Sequence, residues 1–548
     1  MSGLPAILRP SNTVKIDDLQ GGGSVATKQA KAKKEKSVEE TLWESAVKLR
    51  GTVEPSEYKH VVFGLIFLKF ASDKFEERRA ELVAEGKEKY LEVTEFYTMK
   101  NVFYIPKDSR WTHIIKNGKQ NDIAIQIDTA LFTIEKNNPS LAGALPDNYY
   151  SRLNLEITKL SALLDTINKI DTLKEKDHDI IGRIYEYFLL KFAIAEGKGK
   201  GEFYTPKNIV NLIAELIEPY KGKIYDPCCG SGGMFVQSLK FIEAHKGNTK
   251  DVAIYGQEQT PTTYKLAKMN LAIRGISANL GEVATDTFGK DQHKDLKADF
   301  ILANPPFNLK DWRDPAELID DPRWSGYDVP PVSNANYGWI LHMISKLSAN
   351  GVAGFLLANG ALGDPDTKNI RKKIIDNNLV EAIIVLPRDM FYSTDISVTL
   401  WIINKNKKAK KGIQNGISAT YRDRSEEILF VDLRRTGIEY EKKYVQLTDE
   451  DILKVVSTYH SWQREDTSST YADIPEYCFS ANRAKIMEND YSLIPSKYIE
   501  FINNDIAIDY DKEMKRIKNE FKSILAEESE SQVKLLEAFK GLGYEIKL

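Results

Sequence analysis

Asn304-Pro305-Pro306-Phe307 closes an apolar run, Asp299-Phe300-Ile301-Leu302-Ala303. An amide, a carbonyl held between prolines and an aromatic face together suit one task, the activation of a planar exocyclic amine. The lone pair of such an amine is delocalised into its ring, so a catalyst must draw electron density back onto nitrogen. The Asn304 side-chain oxygen and the Pro305 carbonyl can each accept a hydrogen bond from the amine, which favours a pyramidal nitrogen aimed at a sulfonium methyl. Pro305 and Pro306 fix φ near about −65° and remove donors, narrowing the directions open to that carbonyl. Phe307 offers a π-face on which an extruded base can stack. Positioning carries most of such a displacement, so neither a general base nor a metal is required.

A second segment, Asp226-Pro227-Cys228-Cys229-Gly230-Ser231-Gly232-Gly233, follows the short strand candidate Ile224-Tyr225 and opens a helix. Glycines at a strand end let ligand atoms approach the backbone, as nucleotide-like cofactors require. No Gly-Lys-Ser/Thr follows, which removes the P-loop reading. Glu258, after the next strand in Ile254-Tyr255-Gly256-Gln257, is placed to accept both ribose hydroxyls of a donor; the alternative is an acid serving a helix N-terminus. Asp286 could hold the donor's adenine amine, against the alternative of an ordinary turn aspartate. Cys228 and Cys229 have no histidine nearby in sequence and suit a crowded turn better than nucleophilic catalysis. Three cysteines and seven scattered histidines offer no metal-ligand spacing, so no metal is expected.

These residues need strand ends to hold them. From Glu202 to about Leu433, apolar strand candidates alternate with amphipathic helices: Ile224-Tyr225, Val252 to Tyr255, Phe300 to Ala303, Val352 to Leu357, Val380 to Leu386 and Ser397 to Ile403. Such alternation predicts a doubly wound, mostly parallel α/β sheet covered on both faces, with ligands outside the carboxyl ends of its strands. Ahead of it, residues 38–195 read as a helical domain built on the apolar stretch Val61 to Phe70, with a second helical stretch from Ile180 to Phe192. Residues 1–37 mix Gly21-Gly22-Gly23-Ser24 with Lys28, Lys31, Lys33, Lys34 and Lys36 and read as a disordered basic leader. The sheet domain is expected over 196–480. A charged helical tail is expected over 481–548, with Met514, Ile517, Phe521, Ile524 and Leu525 at helical spacing.

A chain of 548 residues with 42% hydrophobic and 28% charged residues can build two or three globular domains. Its formal charge of −3 excludes a wholesale basic DNA coat, so nucleic-acid contact has to come from local patches or a partner. The run Val61 to Leu68 falls well short of the roughly 20 residues that span a bilayer. The start lacks the basic and apolar regions of a secretion signal, and a cytoplasmic location is expected.

With both motifs in place, the chain resembles amino-group DNA methyltransferases that use S-adenosylmethionine, and most closely the modification subunits of type I restriction-modification systems. Gly201-Glu202-Phe203-Tyr204-Thr205-Pro206 looks like the family's additional donor-binding motif, and Asn336-Tyr337-Gly338-Trp339 to Leu347, then Gly351 to Leu357, is similar to its helix and strand after the acceptor motif. The resemblance covers about residues 40 to 480. It implies a Rossmann-like methyltransferase sheet in which Glu202, Phe203, Tyr204, Thr205, Pro206 and Lys207 line the donor pocket with Cys228 to Gly233 and Glu258. It implies that Asn304 to Phe307 hold the target adenine.

The family methylates adenine N6, and Asn-Pro-Pro-Phe is its usual form, whereas cytosine N4 enzymes more often begin with serine. It also implies partners: double-stranded DNA, a specificity subunit that binds two modification subunits, and a motor-nuclease restriction subunit. Such a complex is cytoplasmic in a prokaryote and associates with the nucleoid through DNA. The C-terminal helices are then the natural contact with the specificity subunit. Cys228-Cys229 departs from the small residues, often threonine and alanine, more usual there. Two rivals stand beside this reading. Protein glutamine-amide methyltransferases share a similar elbow but are usually shorter and end it in tyrosine. A non-catalytic assembly subunit would not need an intact donor loop and elbow.

Overall fold

The computed structural model describes residues 38–47, 55–153, 155–170, isolated positions between 184 and 191, then 205–391, 396–414, 417–440, 444–465, 470–502 and 509–541. The leader 1–37, Glu202 to Tyr204, and most of the Ile180 to Phe192 stretch lie outside the described residues.

Nine strands form one sheet: β1 (Gly222–Asp226), β2 (Val252–Gly256), β3 (Ala278–Asn279), β4 (Ala298–Ala303), β5 (Leu347–Ala358), β6 (Val380–Val385), β7 (Val398–Asn404), β8 (Glu427–Asp432) and β9 (Cys478–Asn482). Their spatial order is β9-β8-β6-β7-β5-β4-β1-β2-β3. The pairs β1·β2, β1·β4, β2·β3, β4·β5 and β6·β8 are parallel. β7 runs antiparallel to both its neighbours, and β9 is antiparallel to β8. Every strand candidate in the sequence overlaps one of these strands, with Leu386 and Ser397 falling one residue outside. What alternation of apolar runs could not show is that β7 inserts between β5 and β6 in the reverse sense, because burial on both faces gives the same continuous apolar run for either direction. All residues of β6 and β7 are buried.

Helices cover both faces. On one side lie α5 (Lys207–Ile217), α6 (Gly233–Ala244), α7 (Pro261–Ile273) and α10 (Asp449–Gln463), whose buried side chains join Leu302, Leu356, Leu400 and Leu429 in one core. On the other, α8 (Asn336–Lys346) and α9 (Lys368–Asp376) join Ile301, Phe355, Trp401 and Phe430. Packing on the sheet runs past 480. β9 straddles that position, Leu493 and Ile499 are buried in the second core, and Tyr498 stacks on Phe430 with ring centroids 4.1 Å apart. Beyond it, α11 (Tyr510–Gly541) contains no buried residue.

The N-terminal unit contains α1 (Val38–Val47), α2 (Pro55–Ala84), α3 (Ile123–Asn137) and α4 (Ile157–Asn168) around a core of its own. Val61 to Leu68, excepting the small Gly64, line that core. A side chain at Gly64 would collide with the Tyr150 hydroxyl, which donates to the Val61 carbonyl at 2.6 Å. The same core takes in Leu266, Met269 and Ile273 from α7, while Tyr264, Ala267 and Leu271 face the sheet core. α7 is therefore apolar on two faces, one for each unit.

Candidate active site

β1 ends at Asp226, which is 1% exposed. Its carboxylate accepts the Cys228 N–H at 3.0 Å and its main-chain carbonyl accepts the Gln257 N–H at 3.0 Å. Burial pushes the Asp226 carboxyl up to about 7. The turn is then tightened by Cys229 N–H donating to the Gln257 carbonyl at 2.9 Å and Gly232 N–H donating to the Cys229 carbonyl at 2.8 Å. This reversal needs positive φ at Gly230 (53°) and Gly232 (81°), conformations that glycine adopts without a steric penalty. Asn270 on α7 donates to the Ser231 carbonyl at 2.7 Å, fixing the last residue before the helix-opening glycines.

Glu258 lies across this loop. One carboxylate oxygen accepts the Gly230 N–H at 3.0 Å and the other accepts the Thr260 N–H at 2.8 Å. A methyl group placed on Gly230 or Gly233 would meet no atom within 4 Å, so the loop borders open space beside a carboxylate. That is the cradle a nucleoside-bearing donor requires, and the residues present fit it. Asp286 reaches the same end of β2, since its neighbour Thr285 donates N–H to the Glu258 carbonyl at 3.0 Å. Its Oδ2 accepts the Gly289 N–H at 2.6 Å, closing its own turn. Burial raises the thiol pKa of both Cys228 and Cys229 well above the ordinary value, keeping them protonated and poor nucleophiles. Among the described residues no group of histidine, cysteine and acidic side chains could hold a metal ion.

Gln257 was not legible as a site residue, yet it joins three segments. Fully buried, it donates from Nε2 to the carbonyls of Thr285 at 3.2 Å and Lys290 at 2.8 Å, and accepts the Gln292 N–H at 3.1 Å. A glutamine beside a candidate acid carries no periodic signal; only the neighbouring loops reveal its use.

The acceptor elbow leaves β4, which pairs with β1 through Tyr225 and Ile301, so both motifs emerge at adjacent parallel strand ends. This is the point where strand order reverses, the usual ligand crevice of open α/β sheets. Asn304 donates from Nδ2 to the Thr205 hydroxyl at 3.0 Å. Its Oδ1 is buried and has no hydrogen-bond partner among the described residues. A buried acceptor left unsatisfied carries a desolvation penalty that a ligand N–H can remove. Pro305 is buried and Pro306 half-buried. Phe307 is buried and meets Phe391 edge to face, with centroids 6.0 Å apart at 85°. Phe391 is a second site aromatic that sequence reading passed over, although its position shortly after the end of β6 was a usable signal.

The chain leaving the elbow turns through Asn308 at φ 54° and is clamped to the start of α8. Asn308 N–H donates to Asn336 Oδ1 at 3.0 Å, and Asn336 Nδ2 returns a bond to Asn308 Oδ1 at 2.9 Å. On the other side Thr205 is half-buried, Pro206 is buried as the N-cap of α5, and Lys207 begins that helix exposed to solvent.

Residues 176–505 match the family described as N-6 DNA Methylase, and residues 38–170 match the HsdM N-terminal domain. The HindI type I restriction enzyme methylase subunit of Haemophilus influenzae is 40% identical over 78% of this chain and 94% of its own length. This chain belongs to the type I restriction-modification methylase subunits. A second relative, the MjaIX type I methylase subunit of Methanocaldococcus jannaschii, is 35% identical over 92% of the chain and 91% of its own. Among solved structures, the type I methyltransferase subunit of Streptococcus thermophilus shares the fold at a TM-score of 0.69 and 24% identity, covering 84% of this chain and 99% of that one. A methylase subunit performs a modification function, and the 38–170 match coincides with the helical unit that rests on α7.

Proposed function

We propose that this methylase subunit transfers a methyl group from S-adenosylmethionine to N6 of adenine at a specific site in double-stranded DNA, within a type I complex whose specificity subunit reads the site. The observation that carries the reading is the buried, unpartnered Oδ1 of Asn304 beside the open glycine cradle. The donor, when bound, would supply a methyl on a sulfonium whose neutral thioether leaves without acid catalysis, and the methylated amine then loses one proton to solvent. Glu258 accepts the ribose hydroxyls, Asp286 holds the donor's adenine, and Asp226, Cys228, Cys229, Gly230, Ser231, Gly232 and Gly233 shape the loop; the family resemblance adds Glu202 to Lys207 to the donor-pocket residues. Asn304 and the Pro305 carbonyl each accept an N–H of the target amine and restore its lone pair. Phe307 stacks on the extruded base.

Two such subunits bind one specificity subunit, and a motor-nuclease subunit completes the restricting assembly. The exposed stripe on α11, with Met514, Ile517, Phe521 and Ile524 all solvent-facing, is the surface that meets the specificity subunit. The complex works in the cytoplasm, on nucleoid DNA. The deciding experiment is a modified-base map of DNA from cells expressing this chain with its genomic neighbour, alongside Asn304→Ala. N6-methyladenine in a two-part motif that disappears in the variant supports the reading. The variant should retain donor binding while transfer falls at least about a hundredfold, as for loss of one preorganised polar contact. Equal modification by variant and parent removes Asn304 from the chemistry.

A further inference from the structure

An asparagine amide has two ends, and only one of them serves an amine. Its oxygen accepts an N–H; its nitrogen, turned to the same place by half a rotation of the amide plane, would set donor against donor. What the far end of the amide bonds therefore decides whether the elbow works. Here Asn304 Nδ2 donates to Thr205 Oγ1 at 3.0 Å, across 99 residues of sequence, while Oδ1 stays buried and unpartnered.

Thr205 is well held for such a task. It precedes Pro206, and a residue before proline is confined to extended backbone. Pro206 in turn caps α5, which Ile209, Leu212 and Ile213 anchor in the sheet core with no exposed surface. The hydroxyl thus reaches Asn304 from a rigid support outside the elbow itself.

We infer that Thr205 is the positioning residue for Asn304: its hydroxyl oxygen accepts the Nδ2–H and so presents Oδ1 to the amine of the target base. The inference rests on the reading of Asn304 given above. A hydroxyl can also donate, and in the free protein a flipped amide would find a partner in it. With a base in place the ambiguity ends. A flipped amide would turn N–H groups toward an amine that offers no in-plane acceptor, whereas the unflipped amide satisfies the base at Oδ1 and Thr205 at Nδ2 together. Removing the hydroxyl leaves Nδ2 without an acceptor in that complex, and buried donors left unpaired are costly. The resemblance in sequence assigned Thr205 to the donor pocket; the geometry ties it to the acceptor.

The test uses the full chain assembled with its specificity subunit, on a duplex carrying the site found by the base map. Thr205→Val removes the hydroxyl at nearly constant shape and keeps the extended backbone; Thr205→Ser restores the hydroxyl. Measured at saturating donor, Thr205→Val should slow single-turnover methyl transfer roughly tenfold to a hundredfold, and Thr205→Ser should recover most of the rate. Because the hydroxyl acts through Asn304, adding Thr205→Val to Asn304→Ala should cost nothing further, as expected for residues that work as one unit. Parental rate in Thr205→Val, a loss confined to donor affinity, no recovery with serine, or additive losses in the double variant would each overturn the inference. Full activity in Asn304→Ala would instead overturn the proposed function beneath it.

Discussion

Asp226 and Glu258 hold one loop by different means, and their chemistry separates in experiment. Asp226 is buried, and desolvation lifts its carboxyl from an ordinary 3.8 to about 7. The folded state therefore holds this proton more tightly than the unfolded chain does. Stability is lost as pH rises from about 4 to about 7 and is level above that window. Asp226→Asn has no proton to lose, so its Tm relative to the parent should climb across the same window when both are followed by calorimetry; parallel curves would place the titration elsewhere. Glu258 instead spans Gly230 and Thr260 with its two oxygens at the edge of the cradle. Glu258→Ala should weaken donor affinity by calorimetry while the subunit still assembles, and unchanged affinity would defeat the ribose assignment.

At the scale of elements, the sheet keeps its reversed strand in register partly through a buried charge. Glu381 on β6 and Arg424 just before β8 are both fully buried, with Nε and Oε1 2.8 Å apart. Asn404 at the end of β7 and Gln463 at the end of α10 also donate to the Glu381 carboxylate. The cluster thus joins β6, β7, β8 and α10 at the end of the sheet away from the elbow. Removing one partner of a buried pair strands the other charge, at about 3–5 kcal/mol. Arg424→Met should lower unfolding free energy in urea by that order, and a change within experimental error would show that Asn404 and Gln463 suffice. α7 illustrates a different economy of design. Its 264/267/271 stripe enters the sheet core, its 266/269/273 stripe enters the N-terminal core, and Asn270 between them holds the donor loop.

For the whole molecule, the sheet and the N-terminal unit each close around a buried core, whereas α11 contributes no buried residue. Met514, Ile517, Phe521 and Ile524 follow 3- and 4-residue steps along one face and all are 46–61% exposed. Exposed apolar stripes at such spacing mark helix-to-helix contacts. Ile517→Glu combined with Phe521→Glu should leave Tm and donor binding of the isolated subunit unchanged yet abolish co-purification with the specificity subunit. Retained assembly would move the contact to another surface.

The sequence by itself determined the two motifs, the strands that carry them and the division into a helical unit, a sheet and a charged tail. Each of these is written in local periodicity or in residues with few other uses, such as Gly230-Ser231-Gly232-Gly233 and Asn304-Pro305-Pro306-Phe307. Tertiary structure alone decided the rest. A strand buried on both faces looks the same forwards and backwards, so the reversal of β7 was invisible. Packing on the sheet to Ile499 was hidden because its residues touch Phe430 and other partners far away in sequence. The bonds of Gln257 to Thr285 and of Asn304 to Thr205 join residues 28 and 99 positions apart. Local pattern records what a segment can form; which side chain completes which site is fixed only when distant strand ends are brought side by side.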